Sequence, residues 1–222
     1  MTQLDSFVRS DATAAALFGV TGKISSSGGW LNGNLYANFF PLVMLLLTVG
    51  YGAACIAGQD EDGTLGLLTT LPVRRSAVVA QKAAAMALQA AGLALVVWAC
   101  VLAGRSFGLS ITPFTALSMS VGVGLLGLDL GFIAMAVGAL SGKRGTALGA
   151  GVALAGVSYL VSSLAPVTSW LRPARYASLF YWAVGNNQVS SGVSAADFAV
   201  LAVVGLAALA ITVAAFRRLD LH

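Results

Sequence analysis

Charge is what this sequence has least of: only 9% of its 222 residues are Asp, Glu, Lys or Arg, against roughly 25% in a water-soluble domain. So small a supply cannot coat a soluble surface. Together with 58% hydrophobic residues and a mean hydropathy of +0.89, it points to a chain dissolved in lipid. Histidine is nearly absent, His222 being the single one, and only two cysteines are present, so neither a zinc site nor a nucleophile with its base can be assembled. No metal site and no enzyme activity are expected. Cys55 and Cys100 fall in apolar runs near opposite membrane faces, too distant for a bridge at about 1.5 Å of rise per residue. Both are expected as free, buried thiols. Basic residues give a net charge of +4 but lie in small clusters between apolar runs, with no stripe suited to nucleic acid. Their role is topological. Asp5, Arg9 and Asp11 around a short apolar run do not fit the basic start of a cleavable signal peptide.

What the sequence has in quantity is long apolar runs without period-2 alternation. Backbone N–H and C=O groups cannot be left bare in hydrocarbon, so such runs read as helices. A core of about 30 Å needs about 20 residues. Five runs qualify, Asn38 to Ala57, Ala83 to Gly104, Phe114 to Ser141, Thr146 to Ala165 and Phe198 to Phe216, which predicts an all-α membrane protein with five transmembrane helices in a single domain over 1–222. The stretch PARYASLFYWAVG, Pro173 to Gly185, is apolar but too short to cross, and reads as a short re-entrant or interfacial helical element on the outer side. Threading five spans puts Arg74, Arg75, Lys82, Lys143, Arg144, Arg217 and Arg218 on one side, and Arg9, Lys23, Arg105, Arg172 and Arg175 on the other. The first group clusters at span ends, which makes that side and the carboxyl terminus cytoplasmic, and residues 1–34 external. Trp30, Tyr36, Trp98, Trp170, Tyr181 and Trp182 then gather toward the outer face as an interfacial belt.

One loop departs from the oily background. In GQDEDGTLGLLTTLPVRR, Gly58 to Arg75, Asp60, Glu61 and Asp62 stand where acids complement the positive end of a helix. Leu65, Leu67, Leu68 and Leu71 follow at helical spacing, and Pro72 ends the run. The pattern predicts a short amphipathic helix on the cytoplasmic surface. It would suit the headgroup layer, but carboxylates are repelled by an anionic leaflet, which favours a protein partner.

The residues Glu61, Gly63, Thr64, Leu65, Leu68, Pro72, Val73 and Arg75 have the spacing E-x-G-T-L-x-x-L-x-x-x-P-V-x-R, which resembles the signature of ABC-2 type permeases, the membrane subunits of a class of ABC transporters. The Gly142-Lys143-Arg144 turn, the segment Leu164 to Trp182 and the terminal FRRLDL of Phe216 to Leu221 are similar in the same order. The resemblance implies a permease subunit of an ATP-driven exporter working by alternating access in a bacterial-type plasma membrane. It also implies that Asp60, Glu61, Gly63, Thr64, Leu65, Leu68, Leu71, Pro72 and Arg75 form a coupling helix that docks on a separate ABC ATP-binding subunit. ATP and magnesium would be held by that partner and no cofactor by this chain; a second permease copy or half would complete the assembly, and Pro173 to Val193 would be the re-entrant region. The family's cytoplasmic interfacial helix and first span are expected to be lacking, since the likeness begins in the segment that follows them. A non-transporting scaffold or regulator derived from such a permease is the other reading of that difference.

Within the chain, GALSGKR, Gly138 to Arg144, is the nearest approach to a phosphate loop. It has one residue too few between its glycines and Arg144 where a hydroxyl is required. Asp129 is expected near the middle of the third span, where a carboxyl is costly and faces a cavity or a partner. It reads either as an intramembrane polar site, such as that of an ion-coupled carrier, or as a side chain bonded to hydroxyls like Ser118 or Ser158. Gly122, Gly124, Gly127 and Gly131 in the third span and Gly145, Gly149 and Gly156 in the fourth make small-residue faces for close helix packing. Pro41 is expected to shape the start of the first span.

Overall fold

The computed structural model describes residues 32–64, 74–107, 109, 111–185 and 194–218. Among these no strand occurs, and five helices are long and apolar enough to cross a membrane. They are α1 (Asn34–Glu61), α2 (Arg75–Gly104), α3 (Pro113–Ser141), α4 (Arg144–Leu164) and α5 (Ala195–Arg218). Between α4 and α5 lie three short turns of helix, Ser169–Leu171, Pro173–Ala177 and Tyr181–Gly185.

Helix limits follow from local chemistry. Thr112 caps α3, its Oγ1 accepting the Thr115 N–H at 3.2 Å, and Pro113 occupies the first turn, where its missing N–H costs nothing. Gly142 ends α3 in the left-handed conformation, φ 62°, and donates its N–H to Gly138 O at 2.9 Å. At the start of α5, Ser194 and Asp197 exchange bonds: Ser194 N–H to Asp197 Oδ2 at 3.1 Å, and Asp197 N–H to Ser194 Oγ at 3.2 Å. This reciprocal arrangement satisfies two otherwise orphaned donors. Pro41 lies in the first turn of the regular α-helical part of α1, Phe40–Ala53, as expected of a residue shaping that start.

α3 is the hub. Of its most apolar stretch 67% is buried inside the protein, against 22% in α2 and α4 and 28% in α5, and every other long helix packs on it. Glycine makes this closeness possible. A Cβ at Gly131 would lie 2.9 Å from the Thr48 carbonyl of α1 and 2.6 Å from the Met86 sulfur of α2.

The helices alternate in direction, as their ends show. Glu61 at the end of α1 touches the start of α4, and Arg75 at the start of α2 touches the end of α5. This is termed the basic end, since Arg74, Lys82, Lys143 and Arg217 belong to the same helix termini. At the opposite, aromatic end, Trp98 Nε1 of α2 donates to Pro113 O of α3 at 3.1 Å. Tyr176, Tyr181 and Trp182 pack ring on ring there. Trp170 is 75% exposed, in keeping with a belt, but Tyr36 is fully buried and bonds Ser120 Oγ at 3.0 Å. Tyr36 is therefore a core residue; its hydroxyl has found a partner inside, which removes any need for an interface. Trp30 and the other residues 1–31 of the expected external segment 1–34 lie outside the described residues.

The helix α2 starts at Arg75 and so extends beyond the apolar run from Ala83, because Ala, Val, Gln and Lys prolong it. Two expectations need correction. Cys100 is exposed on the bundle's outer surface while Cys55 is buried; both are free thiols. Gly145, Gly149 and Gly156 meet nothing within 4 Å, and it is Gly151 that brings α4 onto Val49 and Ala134.

Candidate functional site

The basic end is built around the short strip Gln59 to Thr64. Gly63 turns the chain with φ 70° after α1, its N–H bonded to Asp60 O at 3.0 Å. Glu61 is thereby placed against α4, whose cap residue Lys143 has no side-chain acceptor to offer. Glu61 Oε1 fills that role from another helix, accepting the Arg144 N–H at 2.9 Å. A carboxylate at a helix amino terminus meets both unpaired N–H groups and the positive end of the helix dipole. Among the described residues, then, it is Glu61 that complements a positive helix end, that of α4; the helix the acids were expected to precede lies outside the described residues. Asp60 leans on the same turn, its Oδ2 lying 3.4 Å from where a Cβ of Gly142 would be, and the Arg144 side chain crosses Gly58.

Two further bonds join this strip to the remaining helices. Lys82 Nζ of α2 donates to Gln59 Oε1 at 2.5 Å. Arg75 Nη1 reaches the Phe216 and Arg217 carbonyls at 3.3 and 3.4 Å, covering two of the orphaned acceptors at the end of α5. Thr64 Oγ1 closes onto Gln59 O at 3.2 Å. Of the residues expected to couple, Asp60, Glu61, Gly63, Thr64 and Arg75 thus gather at one end of the bundle. Leu65, Leu68, Leu71 and Pro72 lie outside the described residues. The clasp itself was not foreseen from sequence, though one signal for it exists: no Ser, Thr, Asp or Asn stands at the cap position before Arg144, so an acceptor had to come from elsewhere.

At the aromatic end, the turn Tyr181–Gly185 is drawn into the bundle. Ser178 Oγ donates to Ser158 O at 2.6 Å, and the Phe180 N–H donates to Ser158 Oγ at 3.2 Å. Ser158 stands before the Leu164 end of α4 by a distance of about 9 Å at helical rise, so Phe180, Tyr181 and Ala183 are buried well below that end. Residues 186–193, the remainder of the expected re-entrant region, lie outside the described residues.

Along the side of the bundle, α1 and α4 leave an apolar groove of about 770 Å³ lined by residues that include Leu42, Leu46, Gly50, Val152 and Gly156. Its polar corner is the bond from Tyr159 Oη to Asn38 Oδ1, 2.8 Å long. Asp129 is elsewhere, between α3 and α5, and only 2% exposed. Ser158 is engaged with Ser178, and Ser118 Oγ donates to Thr115 O at 2.9 Å, so neither hydroxyl supplies the partner suggested for Asp129.

No protein-family model, characterised protein or solved structure matches the chain. Fold and site together define a class, an apolar five-helix bundle with the helix lengths of a multi-pass membrane protein.

Proposed function

We propose that the chain is the permease subunit of an ATP-driven exporter of the ABC-2 type, with its basic end in the cytoplasm. The clasp at that end carries the reading. A motor subunit pressing on the Gln59 to Arg75 segment pulls on α4 through Glu61, on α2 through Lys82 and on α5 through Arg75. Three helices are moved from one docking point, as alternating access requires. Positive residues at the basic end favour the cytoplasmic side. The buried turn at the aromatic end then serves as the re-entrant element on the outer face. A second permease copy or half packs against the open α1 and α4 faces, and the groove between these helices becomes part of the substrate path, suited to an apolar or amphipathic molecule. ATP and magnesium belong to the separate ATP-binding subunit.

Affinity purification of the chain from its native membranes, in mild detergent, tests this. An ABC ATP-binding subunit is expected at near-equal stoichiometry. Replacing Leu65, Leu68 and Leu71 together by alanine should deplete it about tenfold or more, as loss of a docking anchor worth about 1.4 kcal/mol would. Undiminished recovery of the ATPase with that triple variant contradicts the reading.

A further inference from the structure

Asp129 belongs to none of the interactions above. It sits near the middle of the most buried helix, 2% exposed, and its Oδ2 has no hydrogen-bond partner among the described residues. The other oxygen presses on α5: a Cβ at Gly205 would come within 2.5 Å of Oδ1 and 3.6 Å of the Phe132 ring. The carboxyl occupies a notch that exists because residue 205 has no side chain. Among the described residues, charged groups are remote. Asp197 and Arg217 stand about 12 and 18 Å along α5 from Gly205 at helical rise. Lys82 is held at the basic end by Gln59, and Tyr159 is held by Asn38. Tyr181 is stacked at the aromatic end, Cys55 Sγ donates to Gly52 O, and Tyr51 packs in the cluster of Phe132 and Leu209 near the basic end.

An ionised carboxylate left with a bare oxygen among apolar side chains is among the costliest arrangements a bundle can contain. A hard metal cation would relieve it only with about six oxygen ligands; among the described residues no cluster of metal-ligating acids, histidines or cysteines occurs. The remaining ligand that neutralises the group without further donors is a proton. We propose that Asp129 is a proton-binding site in the seam between α3 and α5, occupied while Gly205 is packed against it and emptied when the seam parts. This requires no ATP-binding partner and stands or falls apart from the exporter reading. It gives the bundle a packing-linked proton carrier where α5, which ends in the Arg75 clasp, meets the hub.

Infrared spectroscopy of the purified full chain in lipid nanodiscs at neutral pH is the test. Subtracting the spectra of Asp129→Asn and Asp129→Ala from that of the parent should reveal the carbonyl stretch of a protonated carboxyl. Carboxylate bands in its place overturn the proposal. In Gly205→Ala, where the new methyl evicts the carboxyl from its notch, the protonated band should fall by about half or more as water reaches the group. An unchanged band overturns the link to packing. Should Gly205→Ala fail to insert, Phe132→Ala opens the same seam from the other side and is read in the same way. Loss of the protonated band on adding sodium chloride would instead assign the site to a metal cation and overturn the choice of ligand.

Discussion

Glu61 sits at the carboxyl end of α1, where the dipole of its own helix disfavours an acid. Its position is explained by α4, whose first N–H it accepts at 2.9 Å. Removing that acceptor leaves an orphaned donor and a bare positive end. Glu61→Ala should therefore lower stability by about 1 kcal/mol, the usual cost of a lost cap. Glu61→Gln, which keeps an acceptor oxygen but not the charge, should lose about half as much. Thermal unfolding in detergent, followed by helical circular dichroism, measures both. Equal losses would mean that the charge carries the whole effect and the hydrogen bond adds nothing, whereas no loss in Glu61→Gln would mean that only the hydrogen bond counts. If the clasp transmits force, the same substitutions lower transport in the same order.

Element by element, much of the bundle was legible. Thr112-Pro113 and Gly142 bracket α3, and Ser194 with Asp197 opens α5; these residues carry their own geometry in a few neighbouring positions. The start of α2 at Arg75 was harder, because hydropathy registers contact with hydrocarbon while helix continues for as long as backbone bonds and propensity sustain it. Which glycines mark contacts was harder still. An interior face and a lipid face are equally apolar, so Gly131 and Gly149 read alike in sequence, whereas in the fold one meets Thr48 and Met86 and the other nothing within 4 Å. The clasp joins residues far apart in the chain, and only the unfilled cap before Arg144 hinted at it. Gly131→Ala should cost about 1–3 kcal/mol through overpacking. Gly149→Ala should be neutral or stabilising by up to about 1 kcal/mol through helix propensity. Denaturant titration of the two purified variants separates them, and similar losses in both would contradict the placement of the hub.

Taken whole, the molecule is a bundle with two unlike ends. One gathers bases, a strip of acids and the bonds that tie four helices together; the other gathers aromatic rings and a turn of chain drawn into the core. Positive residues at span ends are retained in the cytoplasm, and a soluble motor can act only there. The proposed function therefore depends on which way the bundle sits. Asp62 is exposed in the strip beside the clasp, and a cysteine placed there, in a chain with Cys55 and Cys100 replaced by alanine, reports that orientation directly. A membrane-impermeant maleimide should label Asp62→Cys in inside-out vesicles and leave it unlabelled in right-side-out ones. Labelling from the outer face would place the clasp beyond reach of any ATP-binding subunit and contradict the account.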